Sequence, residues 1–392
     1  MRKDWEYKKL GEVCETSSGG TPSKTYTEYY ENGTIPWLRS GEVSQGYIYD
    51  AEIYISELGL NKSSAKIFPK GTVLIAMYGA TVGEVGILCN PMCTNQAICG
   101  VLPNDLYNSE FLRYVLLSHK DKYLSLAIGG AQPNISQQII KNTLIPLIDK
   151  STQLSIVAEL DKINELIQLK KQQLKDYDQL AQSIFYEMFG DPVENEKGWE
   201  VKKLGDICEV TSAKRVFIEE VVDSGVPFIR GTELTALNRL TRGEKMKYSL
   251  FITKEHYERL KAITGVPKYG DLLIPSINSE GIAWIVNTEE PLYFKDGRVL
   301  WVHVNQDVFK SECLQKIMNI LLKHTYKSMG GATFSELKLF VLRELKVPIP
   351  PIESQQQFAA RIEAIERQKQ QVSETIKDLE TLLASRMQYW FD

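Results

Sequence analysis

The feature that most constrains the fold is an internal repeat that runs through the whole chain of 392 residues. The stretch WEYKKLGEVCE begins at Trp5, and the closely similar WEVKKLGDICE begins at Trp199. Further matching segments follow in the same order, and over the last third of each copy they stay 202 residues apart. A repeat of this length predicts one fold built twice in tandem.

The spacing between the two copies varies over their first two thirds. Arg39 in IPWLRSGEV corresponds to Arg230 in VPFIRGTEL, a separation of 191 residues, whereas GTVLI and GDLLI lie 199 residues apart. Insertions and deletions concentrate in loops, and loops on a rigid scaffold are where binding specificity resides. We therefore expect each copy to combine a fixed framework with a variable binding region.

Hydrophobic periodicity changes in the same way within each copy. Short β-rich segments such as TVLIAMYG and RVLWVHVN come first, and Gly, Pro and Asn turn signals separate them. An amphipathic pattern then predicts one helix over Ser109–Ala127 and its counterpart over Ser311–Met329. Strands followed by a helix predict an α+β domain in each copy.

Each copy ends in one long helix with the heptad pattern of a coiled coil. A helix of about 38 residues is roughly 57 Å long, more than one small domain covers, so we expect the two helices to pair. The first helix must end where the second copy begins, and by the internal symmetry this connectivity requires an antiparallel pair. The predicted seam consists of Ile156, Leu160, Ile163, Ile167, Leu174, Tyr177 and Ile184 in the first helix, and of Phe358, Ile362, Ile365, Val372, Ile376, Leu379 and Leu383 in the second.

The predicted fold class is α+β: two tandem α+β domains separated by an antiparallel pair of long helices, with an internal pseudo-two-fold repeat. The expected boundaries are 1–150 and 191–352 for the globular domains, and 151–190 and 353–392 for the spacer helices. Further apolar residues lie off the seam of the first helix, which predicts either packing on the globular domains or docking of partner helices. They are Leu166, Leu169, Leu180, Phe185 and Phe189.

The sequence carries none of the common catalytic or phosphate-binding motifs. G-x-x-x-x-G-K-[ST], H-E-x-x-H, G-x-S-x-G and G-x-G-x-x-G are all absent. Six cysteines are too few for a disulfide scaffold, and the spacing of Cys89, Cys93 and Cys99 fits no common zinc site. No apolar run approaches the ~20 residues of a membrane span. We therefore expect a cytoplasmic protein that is neither an enzyme nor a metal binder.

The ordered set of repeated motifs resembles the DNA-specificity (S) subunit of type I restriction–modification systems. The motifs are W-E-x-K-K-L-G-[ED]-[VI]-C-E in both copies, with GGAQPNIS and IPLIDKSTQLSIVAELDKI in the first. The resemblance covers nearly the whole chain, and the ordered set, occurring twice, is more specific than any single motif. The second copy departs from it at GGATFSEL (Gly330–Leu337), which lacks the Gln-Pro-Asn of the first.

The resemblance implies a non-catalytic subunit that reads an asymmetric, bipartite target in double-stranded DNA. Each variable region would be a target recognition domain for one half of the target, and the paired helices would act as a ruler for the spacer. Two methylation (M) subunits, which bind S-adenosylmethionine, would dock on the helices. Restriction (R) subunits, which hydrolyse ATP with Mg²⁺, would join them to cleave unmodified DNA. The chain itself would hold no cofactor.

Base reading in DNA uses Arg or Lys toward guanine, Asn or Gln toward adenine, and hydroxyls or aromatic rings near thymine methyl groups. We expect about half of the candidates of these types to contact DNA, with phosphate contacts outnumbering base contacts. In the first copy the candidates are Lys24, Arg39, Ser40, Gln45, Tyr47, Tyr78, Asn95 and Gln96. In the second copy they are Lys214, Arg215, Arg230, Thr232, Ser276, Asn278, Ser279 and Arg298.

Some alternatives stay open at this point. Arg39 and Arg230 occupy matching positions, which favours a framework role or a shared phosphate clamp over a sequence-specific contact. Asn278 and Ser279 would also suit closure of the turn in SINSEG. For the chain as a whole, a solitary DNA-binding protein of the same fold is one alternative. A protein-interaction scaffold is another, and the formal net charge of −4 supports it.

Overall fold

The structure is a computed structural model, which describes residues 2, 4–129, 132–238, 240, 246–278, 280–328 and 336–391. The chain divides into two compact units, Met1–Gln168 together with Lys377–Asp392, and Leu169–Ile376. We call these the first unit and the second unit. Two continuous helices of 40 residues each, Lys150–Phe189 and Ile352–Phe391, contribute residues to both units. We call them the first and the second long helix.

The first unit contains a five-stranded sheet and a four-stranded sheet. The larger sheet has the strand order Thr16–Ser18, Ile98–Val101, Val73–Ala76, Val85–Leu88, Tyr47–Ile48. The smaller sheet has the order Tyr54–Ile55, Ile35–Leu38, Met92–Thr94, Ile67–Phe68. The short helices are Leu10–Val13, Glu57–Asn61, Ser109–Ser118, Lys120–Leu126 and Gln137–Lys141, with 3₁₀-helices at Thr27–Tyr29, Ser40–Gln45 and Gly79–Thr81.

The second unit repeats this plan with fewer strands. A four-stranded sheet has the order Glu209–Ser212, Val299–His303, Leu272–Pro275, Trp284–Ile285. A three-stranded sheet has the order Phe251–Ile252, Val226–Ile229, Tyr293–Phe294. The short helices are Leu204–Ile207, Gly231–Leu237, Lys254–Thr264, Ser311–Ser328 and Leu339–Glu344, with a 3₁₀-helix at Ile218–Glu220. The sheet orders of the two units therefore correspond, which is the structural form of the sequence repeat.

The repeated opening motif forms a strand that closes each globular part just before its long helix begins. Glu6–Lys9 pairs antiparallel with Leu144–Leu147, and Glu200–Lys203 pairs antiparallel with Lys346–Ile349. The leucine that follows each opening strand, Leu10 or Leu204, is fully buried. The motif recurs because each copy needs the same strand and the same buried anchor at this junction.

In the first unit, the start of the first long helix packs against the end of the second. Glu159 accepts hydrogen bonds from Arg386 and from the indole Nε1–H of Trp390. Phe391 lies in the same hydrophobic core as Ile156 and Leu160, with its ring centroid 5.8 Å from that of Phe111. The two helices therefore run in opposite directions within this unit.

In the second unit, the end of the first long helix packs against the start of the second. The ring centroids of Phe185 and Phe189 lie 5.7 Å and 5.4 Å from that of the fully buried Phe358. Further along, the Lys369 ammonium lies 2.8 Å from a carboxylate oxygen of Asp178. The helices are antiparallel here as well.

The predicted fold class is confirmed, with corrections in detail. All fourteen predicted seam residues are buried or half-buried. Of the apolar residues off the seam, Phe185 and Phe189 pack in the core of the second unit, whereas Leu166, Leu169 and Leu180 are exposed. The single helix predicted over Ser109–Ala127 is wrong: the structure has two helices, because the backbone leaves the helical conformation at His119.

Candidate nucleic-acid interface

Each unit brings the ends of two parallel strands together at one edge. In the first unit Ile35–Leu38 runs parallel to Met92–Thr94, and the N–H of Asn95 donates to the Leu38 carbonyl at 2.9 Å. In the second unit Val226–Ile229 runs parallel to Tyr293–Phe294, and the N–H of Lys295 donates to the Ile229 carbonyl at 2.9 Å. We call these the matched edges. They comprise Arg39, Asn95 and Gln96 in the first unit, and Arg230, Lys295 and Asp296 in the second.

The two arginines of the matched edges make equivalent ion pairs. Arg39 precedes the 3₁₀-helix Ser40–Gln45, and its backbone N–H donates to the buried Glu42 carboxylate at 2.9 Å. Arg230 precedes Gly231–Leu237 in the same way, and its N–H donates to the buried Glu233 carboxylate at 3.2 Å. Both guanidinium groups also face their glutamate. The contact supports the framework interpretation of these arginines and leaves their side chains partly exposed.

The acidity of Glu233 gives this framework role a pH-dependent test. Burial opposes ionisation of the carboxyl, but hydrogen bonds from Arg230 and Thr232 outweigh it and lower the pKa of Glu233 to about 2. A lowered pKa stabilises the folded unit above the ordinary value of 4.5, and this stabilisation is lost as the pH falls toward 2. We therefore expect Glu233→Gln to lower the urea midpoint of the second unit more at about pH 6 than at about pH 3.

Exposed Glu255 supplies the matched control for this experiment. Glu255→Gln should lower the urea midpoint at about pH 6 far less than Glu233→Gln does, because Glu255 is exposed. A Glu233→Gln shift that is independent of pH would contradict the assigned role of the carboxylate.

The side chains mounted on the two matched edges differ. In the first unit Gln96 is exposed, and its amide oxygen accepts a hydrogen bond from the Thr21 hydroxyl. At the corresponding place in the second unit, the Asp296 carboxylate lies 3.0 Å from Nε of exposed Arg215. The same backbone frame therefore presents neutral hydrogen-bonding groups in one unit and charged groups in the other.

Other candidates of the second unit lie close to its matched edge. Exposed Arg298 follows the turn that contains Asp296, and its guanidinium is 3.4 Å from Glu336. A Cβ built on Gly231 would lie 3.7 Å from the Arg298 carbonyl, so Arg230 and Arg298 are near each other. The Thr232 hydroxyl donates to Glu233 at 2.9 Å. Lys214 is exposed, and its backbone N–H donates to the Tyr293 hydroxyl oxygen.

Three candidates of the second unit do not gain support. Ser276 has an exposed fraction of 0%, and its hydroxyl faces Glu336. Asn278 is 4% exposed, and its side-chain amide exchanges two hydrogen bonds of 2.6 Å with the backbone of Ile282. Both predictions of a DNA contact are corrected, because a buried side chain satisfied within the chain is not available to a base. Ser279 lies outside the described residues.

Some first-unit candidates lie at or next to the matched edge, and others lie farther along the 3₁₀-helix Ser40–Gln45. Tyr78 is next to the matched edge, since the N–H of the preceding residue, Met77, donates to the Ala97 carbonyl at 2.8 Å. Asn95 is half-buried, and its side-chain oxygen accepts from the Ala97 N–H. Ser40 and Gln45 are the first and last residues of one 3₁₀-helix, so Gln45 lies at the end away from Arg39.

Tyr47 and Lys24 complete the first-unit set. Tyr47 is 40% exposed in an edge strand, and the guanidinium of Arg113 lies 5.6 Å from its ring centroid. Lys24 is an exposed residue in the turn before Thr27–Tyr29.

Sequence reasoning missed several residues that contact the candidates or lie beside them. They are Glu42 and Glu233, which hold the arginines, together with exposed Lys295 and the stacked Arg113. The glutamates could have been predicted from the sequence, because each lies three residues after its arginine, and that spacing brings the two side chains together on the first turn of a helix. No local signal marks Lys295 or Arg113, whose neighbours come from distant segments.

Two further properties concern only the part of the chain that the structure describes. Within it, no group of three or more His, Cys, Asp or Glu side chains is arranged to hold a metal ion. None of the described helices combines the length and the apolar character that crossing a membrane requires.

Comparison with known families assigns the class to which these two like units belong. The family model described as the type I restriction modification DNA specificity domain matches residues 2–176 and, a second time, residues 196–381. The chain therefore belongs to the family of type I restriction–modification DNA specificity subunits, as its sequence predicted. Members of this family are not enzymes, so the matched edges belong to a recognition protein rather than to a catalyst.

Individual relatives agree with this assignment. The MjaIX specificity subunit of Methanocaldococcus jannaschii is 29% identical over 392 residues, which covers 93% of this chain and 87% of the relative. The EcoR124I/EcoR124II specificity subunit of Escherichia coli is 29% identical over 166 residues, 41% of each chain. A crystal structure of a type I S subunit from M. genitalium superposes with a TM-score of 0.51 at 15% identity, covering 99% of this chain and 96% of that one.

A second solved structure has a higher TM-score. It comes from work titled as the structural basis of complex assembly and conformational transition of the type I R-M system. The TM-score is 0.64 at 19% identity, with 100% of this chain and 98% of that chain covered. At these identities the two superpositions support the fold alone.

Proposed function

We propose that the chain reads an asymmetric, bipartite target in double-stranded DNA, one half with the matched edge of each unit. The observation that carries the proposal is the contrast between Thr21–Gln96 and Arg215–Asp296 on equivalent backbone frames. Two different sets of side chains on one frame suit two different half-sites. An amide such as Gln96 pairs best with adenine, and arginines such as Arg215 and Arg298 pair best with guanine or phosphate.

The proposed contact set keeps the exposed or half-buried candidates. In the first unit it comprises Lys24, Arg39, Ser40, Gln45, Tyr47, Tyr78, Asn95 and Gln96; in the second unit it comprises Lys214, Arg215, Arg230, Thr232 and Arg298. Because part of this set is cationic, affinity should fall as the salt concentration rises.

The long helices are the proposed docking sites for two methylation subunits. Leu166, Leu169 and Leu180 support this, because three exposed leucines on one helix form an apolar surface that a partner would cover. Those subunits would bring S-adenosylmethionine, and restriction subunits would bring ATP and Mg²⁺. The assembled complex would act in the cytoplasm.

We propose recognition domains at 1–150 and 191–352 and spacer helices at 151–190 and 353–392.

The test is a footprint of the chain, assembled with its methylation subunits, on a duplex library. We expect protection of two unlike half-sites with a fixed spacer between them. Replacing Arg215 and Arg298 with alanine should weaken binding by about 1–3 kcal/mol per lost base contact and relax only one half-site. Lys254→Ala, which removes an exposed charge from the same unit, is the matched control and should leave both half-sites unchanged.

Other outcomes point to the alternatives. A footprint by the chain without methylation subunits would indicate a solitary DNA-binding protein. No footprint with or without them would contradict DNA reading and leave a protein-interaction scaffold.

A further inference from the structure

Two buried glutamines occupy equivalent positions in the first turns of the long helices. Gln153 and Gln355 are 202 residues apart, and both have an exposed fraction of 0%. In the first unit, the amide oxygen of Gln153 accepts from the backbone N–H of Asn108 at 2.8 Å. Its amide nitrogen donates to the carbonyls of Leu106 and Ile148, both at 2.9 Å. One side chain thus ties the segment before the helix Ser109–Ser118 and the residue after the strand Leu144–Leu147 to the first long helix.

The second unit repeats the arrangement atom for atom. The amide oxygen of Gln355 accepts from the N–H of Lys310 at 2.9 Å. Its nitrogen donates to the carbonyls of Val308 at 3.0 Å and Pro350 at 2.8 Å. All the partners are backbone atoms, so the arrangement persists although their side chains differ between the copies. Buried polar networks that are satisfied in this way hold one defined geometry.

The hydrogen bonds continue from each glutamine to a central strand. The hydroxyl of Ser109 donates to the carbonyl of Gly71 at 2.7 Å, two residues before the strand Val73–Ala76. In the second unit Ser311 donates to Gly270 at 2.6 Å, two residues before Leu272–Pro275.

These strands lead to the matched edges. In the first unit the strand Val73–Ala76 is followed by Tyr78, which lies next to the matched edge. In the second unit the strand Leu272–Pro275 ends at Pro275, which lies 3.5 Å from a Cβ built on Gly231, the residue after Arg230. A continuous set of contacts therefore joins each long helix to the matched edge of the same unit.

We infer that Gln153 and Gln355 are positioning residues that fix each matched edge to its long helix and so set the DNA spacer. The inference rests on the proposed bipartite reading. Neither glutamine is proposed to contact DNA, because both are fully buried. When two binding modules are linked, the effective concentration for the second binding event is highest if the geometry of the link matches the distance between the two binding sites. Loosening either junction should therefore weaken binding to the complete target without changing contacts to an isolated half-site.

The test uses the full chain assembled with its methylation subunits, comparing Gln153→Met and Gln355→Met with the wild type. The probes are the duplex that the wild type protects, the same duplex with a spacer one base pair shorter or longer, and each isolated half-site. We expect the wild type to prefer its own spacer by about tenfold or more, and each variant by about threefold or less. Affinity for the isolated half-sites should stay unchanged. Gln138→Met, at an exposed glutamine, is the matched control and should retain the wild-type preference.

The possible results separate this inference from the proposed function. Absence of any spacer preference in the wild type would contradict the bipartite reading itself. A wild-type preference that both methionine variants retain, with only a lower melting temperature, would overturn the inference and leave the glutamines a purely structural role. If the methionine variants do not fold, Ser109→Ala and Ser311→Ala remove only the second link. They should reduce the spacer preference in the same direction, and an unchanged preference would equally overturn the inference.

Discussion

Removing one heptad from both long helices should shorten the preferred DNA spacer by about three base pairs, because seven helical residues span about 10 Å and each base pair about 3.4 Å. Suitable deletions are residues 168–174 and 371–377, which keep the heptad phase of both helices. They also retain Glu159 with Arg386 and Asp178 with Lys369, the ion pairs between the helices in each unit. Methylation-site sequencing of a selected target library would measure the spacer.

The half-site sequences that the deletion variant recognises test whether the helices act as a ruler. Both half-site sequences should be unchanged in the deletion variant, since no residue of either matched edge is altered. Gln168→Ala with Gln172→Ala changes two exposed residues of the deleted heptad at constant length, and this control should keep the original spacer. Changed half-sites at an unchanged spacer would contradict the ruler model.

Truncating Phe391 to alanine should destabilise the first unit by about 3–5 kcal/mol, the usual cost of removing a buried phenylalanine. Phe391 is 5% exposed, and its ring packs edge-on against Phe111 in the core of that unit. Hydrogen exchange should therefore accelerate throughout the first unit and stay unchanged in the core strands of the second, such as Leu272–Pro275.

Tyr389 gives this prediction a neighbouring control. Tyr389 is 52% exposed, so Tyr389→Ala should lower the free energy of unfolding of the first unit far less than Phe391→Ala does. Equal acceleration of exchange in both units, or none in either, would contradict the assignment of Phe391 to the first unit.

The features predicted from the sequence are those whose signal is local or repeated. The heptad seam could be identified because each position is fixed by its neighbours three and four residues away, and all of its residues are buried or half-buried. The fold class followed from the repeat, because two copies give two independent instances of each pattern. The core strand Val73–Ala76 was visible in the same way as an apolar run between turn signals.

The candidate site was predicted less well, because its side chains are placed by distant segments. Ser276 and Asn278 suited base reading by chemistry, but both are buried. The Ser276 hydroxyl faces Glu336, and the Asn278 amide hydrogen-bonds the backbone of Ile282. Gln153 was unremarkable in sequence, since its three partners lie at residues 106, 108 and 148. Whether a polar residue faces solvent or closes a junction depends on such contacts, which no local pattern records.

The contribution of Lys377–Asp392 to the first unit has a consequence for biosynthesis. On the ribosome, Phe111 emerges long before Phe391, its partner in the core. At translation rates of about 5–20 residues per second, a nascent chain that has reached Gln168 needs roughly 10–45 s more before Phe391 is made. Until then the first unit has an open apolar face, so the length of the second unit sets how long the newborn protein stays vulnerable to aggregation.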